Sequence, residues 1–143
     1  MPAASLFSIV ESPLHPDFSA LYQRLGIKES KFSSMRKAIS ALKTQTPDLV
    51  VAEFMYGYGN NYAGVNVCNL DVFLYSLQKY SSDTGIIVLV DKNEYQYVEK
   101  LAALFPLHAV LQYPVREQDI EPFLKSQAEQ GSDQTGISTG GEL

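Results

Sequence analysis

The sequence predicts an α/β fold: a doubly wound parallel sheet with helices on both faces. Three observations carry that expectation. Strand-like and helix-like segments alternate through five rounds between Leu6 and Glu129, which is the pattern of a parallel sheet with crossover helices. Two of the strand segments, Asp48 to Phe54 and Gly85 to Val90, are almost unbroken apolar runs, as strands covered on both faces must be. The 143 residues suit one domain with a real core, and no internal repeat is visible.

The elements follow in order. Leu6 to Val10 is a compact apolar run ended by Glu11-Ser12-Pro13, and reads as a buried strand. Pro16 suits the first turn of a helix and Asp17 its positive end; Phe18, Leu21, Tyr22 and Leu25 recur at helical spacing, and Gly26 stops the run. Ile27 to Phe32 is short and polar, an edge strand protected by its lysines. Ser33 or Ser34 can cap the next helix, whose inward stripe is Met35, Ala38, Ile39 and Leu42. After the strand Asp48 to Phe54, a helix runs from about Leu70 to Tyr80 with Val72, Phe73 and Leu77 inward. Gly85 to Val90 is a central strand. Glu94 to Phe105 is an amphipathic helix with Val98, Leu101, Ala102 and Phe105 on one face. Ala109 to Gln112 is the last strand, and Asp119 to about Glu129 the last helix, with Pro122 tolerable only in its first turn. Residues 1–129 thus form the domain, and 130–143 lack any buriable pattern and read as a disordered tail.

Composition narrows the function. A formal net charge of −5 argues against nucleic acid and anionic membrane as partners, since both need a basic surface. The basic stretch Arg36-Lys37, with Lys43 further on, reads as the wet face of a helix. No run of about 18 apolar residues exists to span a membrane, and the N-terminus lacks the form of a signal peptide. A lone cysteine, Cys68, permits no internal disulfide, so a reducing, cytoplasmic setting is expected. Cys68 with His15 or His108 carries no thiol-catalysis signature, and an inert, part-buried cysteine is the simpler reading.

Attention falls on PDLVVAEFMYGYGNNYAG, residues 47–64, where a buried strand ends on Glu53 and opens into a loop rich in glycine and tyrosine. The loop fails as a phosphate cradle on spacing. Gly57 and Gly59 begin a GxG, but Tyr62 stands where GxGxxG needs its third glycine, and no GK[ST] occurs. The segment 55–69 is long for a strand-to-helix connection. Tyr56, Tyr58, Asn60, Asn61 and Tyr62 make it a candidate partner-binding loop, since tyrosine couples apolar area with a hydroxyl. The same loop could instead fold over the strand ends and fill them. Glu11, Glu53 and Asp91 all follow strands and could converge on a Mg²⁺ or Ca²⁺ ion; the simpler reading has Asp91 capping the helix near Glu94, with no metal.

Three anchors in order resemble the receiver domain of two-component signalling, the CheY-like member of the flavodoxin-order folds. PDLVVAE resembles the strand that carries the phosphoacceptor, GIIVLVD the fourth strand, and AVLQYPV the fifth. The resemblance covers residues 5 to about 127 and implies the strand order 2-1-3-4-5. It also implies a site of five groups: an acid pair for Mg²⁺, an acceptor Asp, a Thr or Ser, and a Lys before a cis-proline. This sequence has Glu11 and Ser12 at the acid pair, Glu53 at the acceptor, Val90 at the hydroxyl position, and Tyr113 for the lysine before Pro114. Val110 falls where the family often has a switch aromatic. Glu53 extends the carboxylate by one methylene, in a kind of site where a misplacement of ~1 Å can cost ~100-fold in rate. Val90 donates no hydrogen bond, and Tyr113 brings no positive charge near neutral pH.

The resemblance therefore implies a degenerate receiver, a pseudo-receiver. The expected function is a stand-alone, phosphorylation-independent interaction and regulatory module in signal transduction. It would be no enzyme, have no cofactor, and bind a protein partner or a second copy. Its expected contact faces are the loop 55–69 and, by family analogy, the face formed by the fourth strand-helix unit, the last strand and the last helix. A small ligand or divalent cation at the carboxyl edge of the sheet is the alternative from another class; a phosphorylatable regulator comes last. Glu53 itself is read either as a strand-end residue bonded to Tyr113 or loop amides, or as a mimic of a phosphorylated aspartate.

Overall fold

The computed structural model describes residues 4–9, 17–54, 70–81 and 83–132. Five strands form one parallel sheet: β1 (Ser5–Ile9), β2 (Lys28–Phe32), β3 (Leu49–Glu53), β4 (Gly85–Val90) and β5 (Ala109–Gln112). Their order is β2-β1-β3-β4-β5, the doubly wound arrangement. The helices are α1 (Ser19–Arg24), α2 (Met35–Ala41), α3 (Asp71–Gln78), α4 (Val98–Ala102) and α5 (Glu117–Ser132), with a 3₁₀ helix over Lys92–Tyr97 leading into α4.

Alternation along the strands splits the core into two layers. Val50, Ala52, Val88 and Val90 meet α2, α3 and α4 through Ala38, Phe73, Leu77 and Leu101. Leu49, Val51, Ile87 and Leu89 meet α1 and α5 through Leu21, Tyr22, Ile120 and Leu124. Every residue of β3 and β4 is buried, which is why both read as unbroken apolar runs. Helices therefore cover both faces, as the sequence implies.

Local chemistry sets the boundaries. Gly26, at φ 74°, takes the left-handed turn that sends α1 into β2. Of the two candidate caps for α2, Ser34 is the one used: its hydroxyl accepts the Lys37 N–H at 3.2 Å. Ala38 and Leu42 are buried beneath it, and Met35 and Ile39 pack half-buried against the same layer. At the amino edge of the sheet, Asp48 Oδ2 accepts the Ser5 backbone N–H at 2.9 Å, while the Asp48 N–H donates to the Ser5 carbonyl at 2.9 Å. This double tie fixes β1 against β3 in register, Leu6 opposite Leu49.

Four expectations need correction. Val72 does not face inward but is 54% exposed; the buried stripe of α3 is Phe73, Leu74 and Leu77. The 94–105 segment is not one α-helix, because the chain winds as 3₁₀ through Tyr97 first, and Ala102 is exposed. The helix α5 starts at Glu117, where Asp119 Oδ2 accepts the Arg116 N–H at 2.9 Å, and it continues to Ser132. Pro122 consequently lies in the second turn; the Gln118 carbonyl that loses its donor there faces the exposed side of the helix. The remaining tail residues, 133–143, lie outside the described residues.

Candidate functional site

The carboxyl ends of the strands bring Glu53, Val90, Asp91, Tyr113 and Pro114 to one edge of the sheet. The ladder runs to its limit there: Phe54 N–H donates to the Leu89 carbonyl at 2.8 Å, and Tyr113 N–H to the Val90 carbonyl at 2.9 Å. Backbone pairing of this kind holds Glu53 and Tyr113 at fixed positions two strands apart. Glu53 lies on the layer of Val51 and Leu89, the layer against which Tyr113 also packs. The Tyr113 hydroxyl donates to Glu53 Oε2 at 3.4 Å. Glu53 is only 4% exposed, a buried carboxylate.

Electrostatics makes the pair self-consistent. Burial pushes the Tyr113 phenol above its ordinary value near 10, and the neighbouring Glu53 charge and the hydrogen bond push the same way. Tyr113 is thus a neutral donor to the carboxylate throughout the neutral range. Val90 is 0% exposed and belongs to the opposite layer, against α3 and α4. It offers neither a donor nor a charge to Glu53. Tyr113 and Pro114 are joined by a cis peptide bond, the geometry the resemblance implies. Val110 is half-buried against the α2–α4 layer.

Asp91 caps the 3₁₀ helix, its Oδ2 accepting the Asn93 N–H at 3.2 Å. Among the described residues no group of three or more His, Cys, Asp or Glu side chains lies close enough to hold a metal ion. Glu11 and Ser12, and the loop residues Tyr56, Tyr58, Asn60, Asn61 and Tyr62, lie outside the described residues. So do His15 and Cys68. His108 ties β5 to α5. Its Nε2 lies 3.2 Å from the Phe123 carbonyl, to which it must donate, and its ring meets Phe123 edge-on at 5.9 Å.

Two features escape a reading of the sequence. The Tyr22 hydroxyl is buried under α1 with no hydrogen-bond partner among the described residues, in a side chain only 1% exposed. Burial first, then the charges of Glu29 and Asp17, raise its ionisation above the ordinary value. At the opposite edge of the sheet a groove of about 330 Å³ opens between α3, the start of β4 and the end of α4. Leu74, Leu77, Ile86 and Phe105 wall it, and Gln78 and Ser81 bring polar atoms. The stretch 74–86 and the residues Phe105 and Pro106 build it, so only the surplus of apolar residues on α3 could have pointed there.

No family model matches the chain, and no curated protein does. Solved structures do. A response-regulator receiver protein from Sinorhizobium medicae WSM419 superposes with TM-score 0.66 at 16% identity, covering 89% of this chain and 95% of that one. The signal receiver domain of an HD domain-containing protein from Pseudomonas fluorescens Pf-5 gives TM-score 0.67 at 16% identity, covering 92% and 99%. A response-regulator receiver domain from Clostridium thermocellum gives 0.62 at 15%, covering 90% and 97%. Among the described residues no helix is long and apolar enough to cross a membrane. At identities this low the likeness speaks for architecture alone, and it agrees with the strand order found: the chain has the CheY-like fold of response-regulator receiver domains.

Proposed function

We propose that this chain is a pseudo-receiver, a non-enzymatic module that regulates signalling by binding protein, without being phosphorylated. The contact between Tyr113 and Glu53 carries the reading. The position where a receiver needs a cation opposite its acceptor carboxylate holds instead a neutral phenol, already bonded to that carboxylate. A phosphoryl group arriving at Glu53 would bring negative charge into a buried place whose family lysine position is taken by that phenol. Val90, turned into the other layer, leaves the second phosphoryl contact unmade. A rigid parallel sheet that no longer switches is still a good platform for partner surfaces, and the net charge of −5 favours protein over nucleic acid.

Amide NMR spectra recorded with Mg²⁺, and then with Mg²⁺ and beryllofluoride as phosphoryl mimic, test this. Resonances around Glu53, Val90 and Tyr113 are expected to stay in place under both. Large shifts that need both additives would sink the proposal. Shifts with Mg²⁺ alone would replace it with a cation site at the carboxyl edge.

A further inference from the structure

We propose that the outer face of α2, with the edge strand β2 beside it, binds an acidic, amphipathic segment of another protein. The inference rests on the reading of the chain as a protein-binding module and names a surface and the chemistry of its partner. Glu53 and Tyr113 take no part in it.

Charge is distributed unevenly along this chain. Residues 30–47 hold four of the 11 lysines and arginines and none of the 16 aspartates and glutamates. Lys31 is tied to Asp17 at 3.6 Å on the α1 side. The other three, Arg36, Lys37 and Lys43, are exposed on α2 and the turn after it. Arg36, Ser40 and Lys43 recur at i, i+4 and i+7, so they form one stripe about 10 Å long, with Lys37 beside it. Lys28 adds a fourth exposed cation. Along β2, Glu29 and Lys31 face α1, where the Ser19 hydroxyl donates to Glu29 Oε1 at 2.7 Å, so Lys28 stands on the α2 side with Phe32. Among the described residues none of Lys28, Arg36, Lys37 and Lys43 meets a carboxylate, whereas Arg24, Lys31, Arg116 and Lys125 each do within 3.6 Å. Lys79 and Lys92 are unpaired there too, but each stands singly.

A run of surface cations is ordinarily just a solvated face. Two of these work against their own helix. Ser34 caps α2, its hydroxyl accepting the Lys37 N–H at 3.2 Å, which is one half of a capping box. The other half asks for Glu or Gln at the third helical position, and Lys37 stands there. No acid lies in that first turn, where the helix dipole favours one, and Arg36 and Lys37 bring cations instead. A local rule broken without local gain points to a demand from outside the helix. Met35 and Ile39, half-buried on the same helix, leave apolar area next to the cations. An acidic segment that also carries apolar residues matches both features. A nucleic acid or anionic bilayer does not, because beyond ~10 Å an extended polyanion meets the field of a chain at −5.

Amide NMR titration of the full chain at about 50 mM salt tests the inference. The probe is a peptide of about 14 residues that alternates glutamate pairs with leucine, set against a control with glutamine for every glutamate. Shifts are expected at Lys28 and residues 35–43 with the acidic peptide alone, and affinity should fall at least about tenfold at about 0.3 M salt. Arg36→Glu with Lys37→Glu is expected to weaken binding at least about tenfold. The same variant should melt no lower than wild type by circular dichroism, since both acids suit the first turn of α2. Lys79→Glu with Lys92→Glu, an equal change of charge elsewhere, is expected to leave binding within about threefold. No shifts over 28–43, or shifts that survive the reversal of charge on α2, overturn the inference. Tighter binding of a single-stranded oligonucleotide or of phosphatidylserine vesicles overturns it as well, as does movement of the same amides when the protein alone is concentrated. No Mg²⁺ or beryllofluoride enters this titration, so its failure and failure of the test at Glu53 are told apart.

Discussion

Tyr113 and Glu53, 60 residues apart in sequence, meet at 3.4 Å across the carboxyl ends of β3 and β5. The phenol is the donor and the buried carboxylate the acceptor, so removing the hydroxyl takes a partner from a charge out of reach of solvent. The distance is long for an O–H···O bond, which places its worth near the low end for bonds to charged groups. Tyr113→Phe is expected to destabilise the fold by about 1 kcal/mol, read from urea midpoints at neutral pH.

The other buried phenol predicts the opposite sign. Tyr22 carries a hydroxyl with no hydrogen-bond partner among the described residues. Deleting an unsatisfied polar atom while keeping the ring removes a desolvation cost and leaves the packing in place. Tyr22→Phe should be neutral or stabilising by up to about 1 kcal/mol. A loss comparable to that of Tyr113→Phe would contradict the burial described for α1.

Both phenols ionise above their ordinary value when folded, and the sign of the pH dependence follows. The unfolded chain releases these protons first, near pH ~10, so stability from keeping them is full below that pH and declines as pH rises above it. Urea midpoints should hold level up to about pH 9 and then fall, less steeply in Tyr113→Phe. Ultraviolet titration should show Tyr22 and Tyr113 ionising above the ordinary tyrosine range, each identified by its Phe variant.

At the amino edge, Asp48→Ala deprives the Ser5 N–H of its acceptor and should cost about 1–3 kcal/mol by the same denaturation assay. Asp48→Asn keeps a side-chain oxygen in place and should cost less.

Magnitudes separate core from surface on α5. Leu124 is wholly buried against the sheet, and Leu124→Ala should cost about 2–5 kcal/mol. The ion pairs of Arg24 with Glu117 and Glu121 are solvated, and Arg24→Met should cost under about 1 kcal/mol. Ser34→Ala, which removes the cap of α2, should fall between, near about 1 kcal/mol.

Strands that are buried on both faces announce themselves, and β4 has the bounds its apolar run suggests; β5, only part-buried, has its expected bounds as well. Helices of about two turns or fewer do not announce themselves. On α3 the contest between Val72 and Leu74 for the inward face depends on where the helix begins, and the apolar character of both residues gives no preference. The Asp91 cap was legible, and it accepts the Asn93 N–H, but a cap does not distinguish 3₁₀ from α winding over 92–97. The meeting of Glu53 with Tyr113 was legible because both sit at strand ends on the same edge. The groove beside α3 was not, because a concavity depends on how far apart helices rest on the sheet.

One strand, β3, is bracketed by two acids put to different use. Asp48 at its start holds neighbouring strands in register, while Glu53 at its end accepts a hydrogen bond from a phenol two strands away. The sheet is thereby anchored at its amino edge, independently of the contact at the carboxyl edge. Substitutions at the carboxyl edge can therefore accumulate without unfastening the scaffold that carries it.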